Sequence, residues 1–439
     1  MPFKEPSSIN LTLISSKLLD EILEALHSYL FDNSGVLLDK LHSKNKEIRF
    51  LIDAIRRSPE NPRPIYSILR IVRKRYFCFC IVEHPYFDLD VWASYSKVYS
   101  ASFTPFRRIC HRLHFFEGYD DKGKNIISSL KRGKYLEEIE KVNDIIYRGF
   151  TTIRPAGVFG IGRTSIKFDD RTPDKCPDIE KHELEKTGIP YCKVEFPQLS
   201  NVYSTRLEIK AVPFIQQDPP IGVCAAASIW TASQVLSNRF GLNKFSYDTI
   251  AEQALYSHKI PSFPTRKDNV FGPPFSIQNI IDVLSDTGAN AIPIYAGELP
   301  SCPSPQARFR LLTYTFVESG IPPILCYSRH AVTLFGHLLP AATDGLDSAE
   351  TKAELTFGPL PYPDRHHLIG QAVQLYYAHN DAYGPFDRIR IFSDAKTRQI
   401  KEELKKKYPD NRDVIDKQPC IISQGRLDKN LEPAFALVV

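Results

Sequence analysis

Residues 216–232 determine how this chain is interpreted, and they read Gln-Gln-Asp-Pro-Pro-Ile-Gly-Val-Cys-Ala-Ala-Ala-Ser-Ile-Trp-Thr-Ala. Two prolines and a glycine predict a loop that ends at Cys224. The small and apolar residues that follow predict a buried helix that stops at Gly241. Cys224 is therefore expected in the first turn of a helix, where unpaired N–H groups and the positive end of the helix dipole stabilise a thiolate.

A thiol nucleophile needs a base that titrates near neutral pH, and histidine is the usual one. His330 is the best candidate because strand-like apolar runs precede and follow it, so its ring is expected at the start of a strand. A third polar group must then fix the orientation of the imidazole. Residues 375–385 supply two such groups, Asn380 and Asp381, at the end of a predicted strand and just before a turn.

With these features in this order, residues 211–390 resemble a papain-like cysteine peptidase domain, and within that group the bacteriocin-processing (double-glycine) branch. The shared features are a Gln and then a Cys at a helix start, a His in a Gly-x-Pro…His-Ala-Val…Gly strand pair, and an Asn or Asp before an aromatic-Gly turn. Residues 276–288 fit the helix that the family places between nucleophile and base. The chain departs from the branch at Val223-Cys224-Ala225, where Asp-Cys-Gly is usual, and residues 340–370 are expected to form an inserted loop or lid.

The resemblance implies an α+β catalytic domain in which the helix bearing the cysteine packs on an antiparallel sheet bearing His and Asp. It implies that Cys224 is the nucleophile and His330 the general acid/base. The orienting residue falls on Asp381, because Asp-Ala-Tyr-Gly resembles the family's Asn-Ser-Trp-Gly, and Asn380 is the alternate.

The resemblance also implies a glutamine that stabilises the oxyanion together with the backbone N–H of the cysteine. That role falls on Gln217, with Gln216 as the alternate. The implied activity is hydrolysis of an amide bond in a protein or peptide substrate through a thioester intermediate. Neither a metal nor an organic cofactor is required.

The rest of the chain is divided into segments whose residues favour helices or strands. We expect a mostly helical N-terminal domain over residues 1–145, a β-rich connector over 146–210, the catalytic domain over 211–393, and a C-terminal helix and tail over 394–439. Apolar residues at three- and four-residue steps predict a helix over residues 11–30. A second helix is expected over residues 36–55, and charged helices over residues 124–143 and 396–408. The sequence leaves open whether residues 76–82 form a buried strand or the end of a helix.

Composition bounds the class of protein. A chain of 439 residues with 43% hydrophobic and 24% charged residues is globular, and it is long enough for two or three domains. No apolar run approaches the roughly 20 residues that cross a bilayer, and the first thirty residues lack a secretory signal. We therefore expect a cytoplasmic protein with no membrane association. Nine cysteines without a Cys-x-x-Cys pair indicate free thiols rather than a zinc or thioredoxin-type site.

Other histidines and the basic residues receive structural interpretations. His337 and His379 are expected to be hydrogen-bonded structural residues, and the adjacent pair His366 and His367 is not expected to bind metal. The net charge of +5 lies wholly within residues 1–150, and residues 56–75 are notably basic. A solvated helix face is favoured there over phosphate contact, so nucleic acid is not an expected partner.

Two alternative functions stay open at this point. The same triad could transfer the acyl group to an amine, as transglutaminase-like proteins do. The chain could instead be a catalytically inactive papain-like scaffold that binds a protein or nucleic acid. Residues 1–205 lie outside the resemblance and could regulate the domain, with a regulatory protein as partner.

Overall fold

The computed structural model describes residues 9–32, 34–57, 63–76, 78–97, 108–155, 160–168, 189–217, 224–256, 276–295, 305–327, 330–339, 373, 375–391, 420–423 and 432–438. Helices and antiparallel sheets both contribute extensively, so the fold is α+β. Within these ranges, no helix combines the length and apolar character that crossing a membrane requires.

The first half of the chain begins with helices and strands in mixed order. Its elements are β1 (Asn10–Ile14), α1 (Ser16–Phe31), α2 (Val36–Lys44), a 3-10 turn (Lys46–Ile48), α3 (Arg49–Arg57), α4 (Arg63–Arg70), a π-helical turn (Ile71–Arg75), β2 (Cys78–Tyr86), α5 (Leu89–Lys97), β3 (Cys110–Glu117), a second 3-10 turn (Asp120–Lys122), α6 (Gly123–Lys131), α7 (Leu136–Asn143), β4 (Ile146–Ile153), β5 (Ile161–Ile166), β6 (Ile189–Cys192), β7 (Phe196–Val202) and β8 (Thr205–Ala211).

Strands β1 to β5 form one antiparallel sheet in sequential order. Successive residues of a strand point to opposite faces, and β2 shows this clearly. Cys78, Cys80 and Val82 pack against α1 to α4, whereas Phe79 and Ile81 pack against α6, α7 and the β7–β8 hairpin. The sheet is therefore covered on both faces, which explains why β2 is apolar at consecutive positions from Cys78 to Val82.

The second half contains the helix that starts at Cys224 and most of a second sheet. Its elements are α8 (Cys224–Phe240), α9 (Tyr247–Tyr256), α10 (Ile277–Asp286), β9 (Pro293–Tyr295), α11 (Pro305–Glu318), β10 (Ile324–Tyr327), β11 (His330–Leu339), β12 (Leu375–Asn380), β13 (Gly384–Ile391), β14 (Cys420–Ser423) and β15 (Glu432–Val438).

Strands β10 to β15 close into a ring, because β10 pairs with β11 on one edge and with β15 on the other. All pairings in this six-stranded barrel are antiparallel, and closure removes the free edges of the sheet. Strand β9 adds to β15, and β6 adds to β11.

The helix α8 packs on the outside of this barrel. Alternate residues of β10 separate the two sides: Ile324 and Cys326 contact the cluster formed by α8, α9 and α10, whereas Leu325 and Tyr327 contact α11 and the residues that β12 and β13 contribute to the same face. Burial of eleven α8 residues, among them Trp230, explains the run of alanines at its start, since small side chains allow close approach to the sheet.

Three of the predicted domain limits are wrong. The boundary at residue 145 lies inside the first sheet, where β3 pairs with β4, and the region predicted to be mostly helical supplies three of that sheet's five strands. The segment 146–210 is divided, since β4 and β5 belong to the first sheet whereas β6 extends the second. The tail after residue 394 supplies β14 and β15, which complete the barrel.

Local predictions agree in part. Residues 10–14 form a strand before α1, and the region 124–143 forms two helices that a turn at Gly133, with φ of +68°, separates. Of the two alternatives left open for residues 76–82, the structure has the strand, since β2 begins at Cys78 and the helical turn ends before this segment at Arg75. The predicted helix over 396–408 and the predicted insertion over 340–370 lie outside the described residues.

Candidate functional site

The first residue of α8 is Cys224, as the sequence predicts, and two hydrogen bonds attach this helix to β11. The Ser228 hydroxyl donates to the carbonyl of Ala331 at 2.9 Å, and the Thr333 hydroxyl donates to the carbonyl of Ser228 at 2.8 Å. Residues 224 and 228 are one turn apart and share a face of the helix. The same contact surface therefore brings Cys224 to the start of β11, where His330 lies.

The sulfur of Cys224 is half-buried and accepts a hydrogen bond from the backbone N–H of Ala331. Burial and, to a smaller extent, the nearby Asp381 carboxylate raise the pKa of this thiol to about 12, although the N–H groups of Ala331 and Ala225 oppose the rise. The expected stabilisation of a thiolate at the helix start is therefore outweighed. Desolvation and a neighbouring negative charge both disfavour the anion, and the resting group is a neutral thiol.

The imidazole of His330 is held by the end of β12. Its Nε2 lies 2.9 Å from Oδ1 of Asn380 and 3.6 Å from Oδ1 of Asp381. The ring of Tyr327, across the strand pair from His330, meets it edge-on at 5.5 Å. The ring is only 14% exposed, so its orientation is fixed by these neighbours.

The third group of the site is Asn380 rather than Asp381, which the sequence favoured. Asn380 is the last residue of β12, and its Oδ1 also accepts from the backbone N–H of Ala382 at 3.1 Å. Asp381 lies in the turn, one residue beyond the strand. The ring's hydrogen-bond partner is therefore the alternate residue Asn380, because the strand ends at Asn380 and directs that side chain at the ring.

The carboxyl group of Asp381 is buried beside the pair. Its side chain is 2% exposed, and no side chain of the described residues donates a hydrogen bond to it. Burial raises the pKa of this carboxyl group, while the nearby His330 and the backbone N–H groups of Asp381 and Ala382 oppose the rise. Asp381 therefore adds negative charge beside the ring when it is ionised, and at 3.6 Å it does not fix the ring by a hydrogen bond.

A residue that the sequence analysis missed completes this network. The Nδ2 group of Asn380 donates to Oδ2 of Asp387 at 2.8 Å, and Oδ1 of Asp387 accepts from the backbone N–H of Arg388 at 2.8 Å. Asp387 is buried on β13, next to β12. An acidic residue between apolar residues of the strand-like sequence Gly-Pro-Phe-Asp-Arg-Ile-Arg-Ile was the available signal.

The two candidate glutamines precede Cys224 by seven and eight residues. Gln216 is buried and bridges to β5, since its Oε1 accepts from the backbone N–H of Ile161 at 2.9 Å and its own N–H donates to the carbonyl of Ile161. The NH₂ end of the Gln216 side-chain amide is therefore turned away from the backbone N–H of Ile161. Gln217 is half-buried, and the loop 218–223 that links it to Cys224 lies outside the described residues.

The N-terminal half contacts the turn at residues 381–384 directly, and this turn is the candidate catalytic turn. A Cβ atom placed on Gly384, at the start of β13, would lie 2.7 Å from Cβ of Ser67 on α4. The guanidinium of Arg63 lies 5.3 Å from the ring centroid of Tyr383, in the same turn. Helix α4 thus packs against the segment that carries Asn380 and Asp381.

The other histidines and the basic residues have structural partners where they are described. His337 lies within hydrogen-bond distance of Glu318, and Nε2 of His379 bonds to the carbonyl of Val212. In the basic region, Arg73 forms a two-pronged pair with Asp20. Among the described residues no cluster of three or more His, Cys, Asp or Glu could hold a metal ion, and His366 and His367 fall outside them.

Comparison with known proteins gives no family for this chain. No family model matches it, and neither a curated protein nor a solved structure is significantly similar to it.

Proposed function

We propose that this protein is a papain-like cysteine peptidase that hydrolyses an amide bond of a protein or peptide substrate through a thioester on Cys224. The observation that carries the proposal is the convergence of three side chains from separate elements. Cys224 begins a helix, the helix packs on the strand that begins at His330, and His330 bonds to Asn380 at the end of the next strand.

The hydrogen bond to Asn380 supports a defined role for the ring. An amide oxygen can only accept, so Nε2 of His330 carries a proton in this bond. The lone pair of a neutral imidazole is then on Nδ1. This nitrogen takes the thiol proton as the sulfur attacks a carbonyl carbon, and it returns the proton to the leaving amine.

The neutral state of the thiol makes base assistance necessary. Because burial and Asp381 raise the pKa of Cys224 to about 12, few molecules carry a free thiolate at neutral pH. Attack is therefore coupled to proton transfer, and the charge of Asp381 stabilises the imidazolium that forms. The backbone N–H of Cys224 lies in the first turn of α8 and is positioned to bind the oxyanion, with Gln217 or Gln216 as the second donor.

One observation favours a second candidate, a catalytically inactive scaffold that binds a protein. The raised pKa of Cys224 also suits a buried structural thiol. Acyl transfer to an amine uses the same residues as hydrolysis, and the acceptor alone distinguishes the two reactions. The contact of α4 with the catalytic turn supports regulation of the site through the N-terminal half.

Proteome-wide mapping of new protein N-termini tests the proposal. A lysate incubated with the wild-type protein should gain a set of new N-termini that is lost with Cys224→Ala. The matched control is Cys192→Ser, because Cys192 is also a half-buried thiol but lies on β6. An added primary amine would appear in the products if the enzyme were an acyl transferase. If wild type and Cys224→Ala gave the same N-termini, the peptidase proposal would be refuted.

A further inference from the structure

We infer that Asp387 is a positioning residue which sets the tautomer of His330 by fixing the direction of the Asn380 amide. This inference deepens the proposed peptidase function and rests on it. The two residues involved are joined by a buried hydrogen bond of 2.8 Å, from Nδ2 of Asn380 to Oδ2 of Asp387.

The first step of the argument concerns the amide of Asn380. A carboxamide has a donor end and an acceptor end that are nearly equal in shape, so either end could face the histidine. An ionised carboxylate can only accept hydrogen bonds. Asp387 therefore binds the NH₂ end of Asn380 and leaves the oxygen end directed at Nε2 of His330.

The second step concerns the ring. With the oxygen of Asn380 facing it, Nε2 must carry the proton, and Nδ1 carries the lone pair that accepts the thiol proton. With the amide reversed, the NH₂ group would face Nε2, which would then have to accept. The proton would lie on Nδ1, and the ring could not act as base toward Cys224.

The third step concerns how Asp387 itself is held. Its Oδ1 accepts from the backbone N–H of Arg388 at 2.8 Å, and its side chain is buried. The neighbouring backbone N–H of Ala382 donates to Oδ1 of Asn380 at 3.1 Å, which favours the same amide direction. Two donors on the oxygen side and one carboxylate on the nitrogen side thus agree on a single arrangement.

The test compares Asp387→Asn with the exchange Asn380→Asp/Asp387→Asn. The single variant replaces the carboxylate that binds the NH₂ end of Asn380 by an amide whose own NH₂ group can pair with the Asn380 oxygen. The reversed amide then competes with the direction that the Ala382 N–H still favours. The exchange restores the requirement that Nε2 of His330 carries the proton, because the carboxylate introduced at position 380 can only accept a hydrogen bond from Nε2. The matched control is Asp282→Asn, since Asp282 accepts from the Gln278 amide at 2.7 Å on the exposed side of α10.

The readout that does not depend on turnover is the ¹⁵N NMR spectrum of the His330 ring, assigned by difference with His330→Gln. We expect the Nε2–H form in the wild type, a mixture of Nε2–H and Nδ1–H forms in Asp387→Asn, and the Nε2–H form again in the exchange. Turnover should fall severalfold in the single variant at unchanged KM, in proportion to the loss of the Nε2–H form, and should recover in the exchange.

The outcomes separate the inference from the proposed function. A wild-type ring with its proton on Nδ1 would overturn the inference even if Asp387→Asn failed to fold. An Nε2–H ring that is unchanged in a folded Asp387→Asn variant would also overturn it. The expected tautomers in a protein without amidase activity would keep the inference about His330 and refute the peptidase proposal alone.

Discussion

Substitution of Gly384 by alanine tests how far the catalytic turn depends on the N-terminal half. Gly384 has a φ of +112°, a conformation that side chains other than glycine rarely adopt. A Cβ atom there would lie 2.7 Å from Cβ and 2.9 Å from Oγ of Ser67, and 3.4 Å from Cα of Pro64. The first two contacts are shorter than real side chains tolerate, so α4 and the turn would have to separate.

The cost follows from two contributions. Backbone strain at a positive φ costs about 1–2 kcal/mol, and forcing an additional carbon into a packed contact costs about 1–3 kcal/mol. We therefore expect Gly384→Ala to lower the free energy of unfolding by about 3 kcal/mol. Thioester formation should also slow, because the displaced turn carries Asn380, whose oxygen holds the His330 ring.

Urea unfolding and stopped-flow acylation by an activated peptide ester measure the two effects. Gly35→Ala is the control, since nothing lies within 4 Å of a Cβ there and its φ is −87°; it should change stability by less than about 0.5 kcal/mol. In a double-mutant cycle, Ser67→Gly should be coupled to Gly384→Ala by about 1 kcal/mol or more, because it removes the two closest contacts. Equal stability of Gly384→Ala and Gly35→Ala would refute the reasoning.

Three further variants test the candidate site and the hydrogen bonds that attach α8 to β11. Asn380→Ala should lower turnover at least about tenfold and destabilise the fold by about 1–3 kcal/mol, because it leaves a buried Asp387 without its amide donor; unchanged kinetics and unfolding would contradict this. Asp381→Asn should lower the pKa of Cys224, so iodoacetamide should alkylate this thiol faster at alkaline pH, with no difference from wild type at pH values where Asp381 is itself protonated. Asp381→Asn should also become more stable relative to the wild type toward neutral pH, because an acid whose pKa is raised by folding destabilises the fold as pH rises through that pKa. Thermal unfolding measured at a series of pH values would show the opposite trend if the carboxylate of Asp381 were stabilised by hydrogen bonds in the folded protein. Ser228→Ala should cost about 1 kcal/mol in urea unfolding through loss of its bond to Ala331, and a neutral result would argue against the attachment of α8 to β11.

The elements around the site were predictable from local patterns. Prolines and a glycine followed by small residues predicted a helix that begins at Cys224, and α8 spans Cys224–Phe240. Apolar runs on both sides of His330 predicted the strands β10 and β11. These signals are local, because caps, breakers and apolar runs act over a few residues.

The larger arrangement was not predictable in the same way. Strand β2 is apolar at consecutive positions because both faces are covered, and such a run does not reveal whether it is helix or strand. The pairing of β15 with β10 joins residues more than a hundred positions apart, and no local pattern encodes it. This is why the tail was separated from the barrel that it completes.

The choice between Asn380 and Asp381 depended on locating the end of β12 to within one residue. Where β12 ends decides which of the two side chains faces His330, and sequence patterns locate strand ends only to within a few residues. The contribution of Asp387 depends on a cross-strand contact and was equally inaccessible. The pKa of Cys224 could not be predicted from its helix position, because burial and Asp381 outweigh the helix start.

The most direct measurement of the central claim is peptide mapping by mass spectrometry after a rapid acid quench of the protein with an activated peptide ester. The account predicts one acyl group per chain, bound to Cys224, which forms much more slowly in His330→Ala. Acylation that is absent from Cys224, or that is spread over other cysteines such as Cys192 at equal rates, would contradict the account.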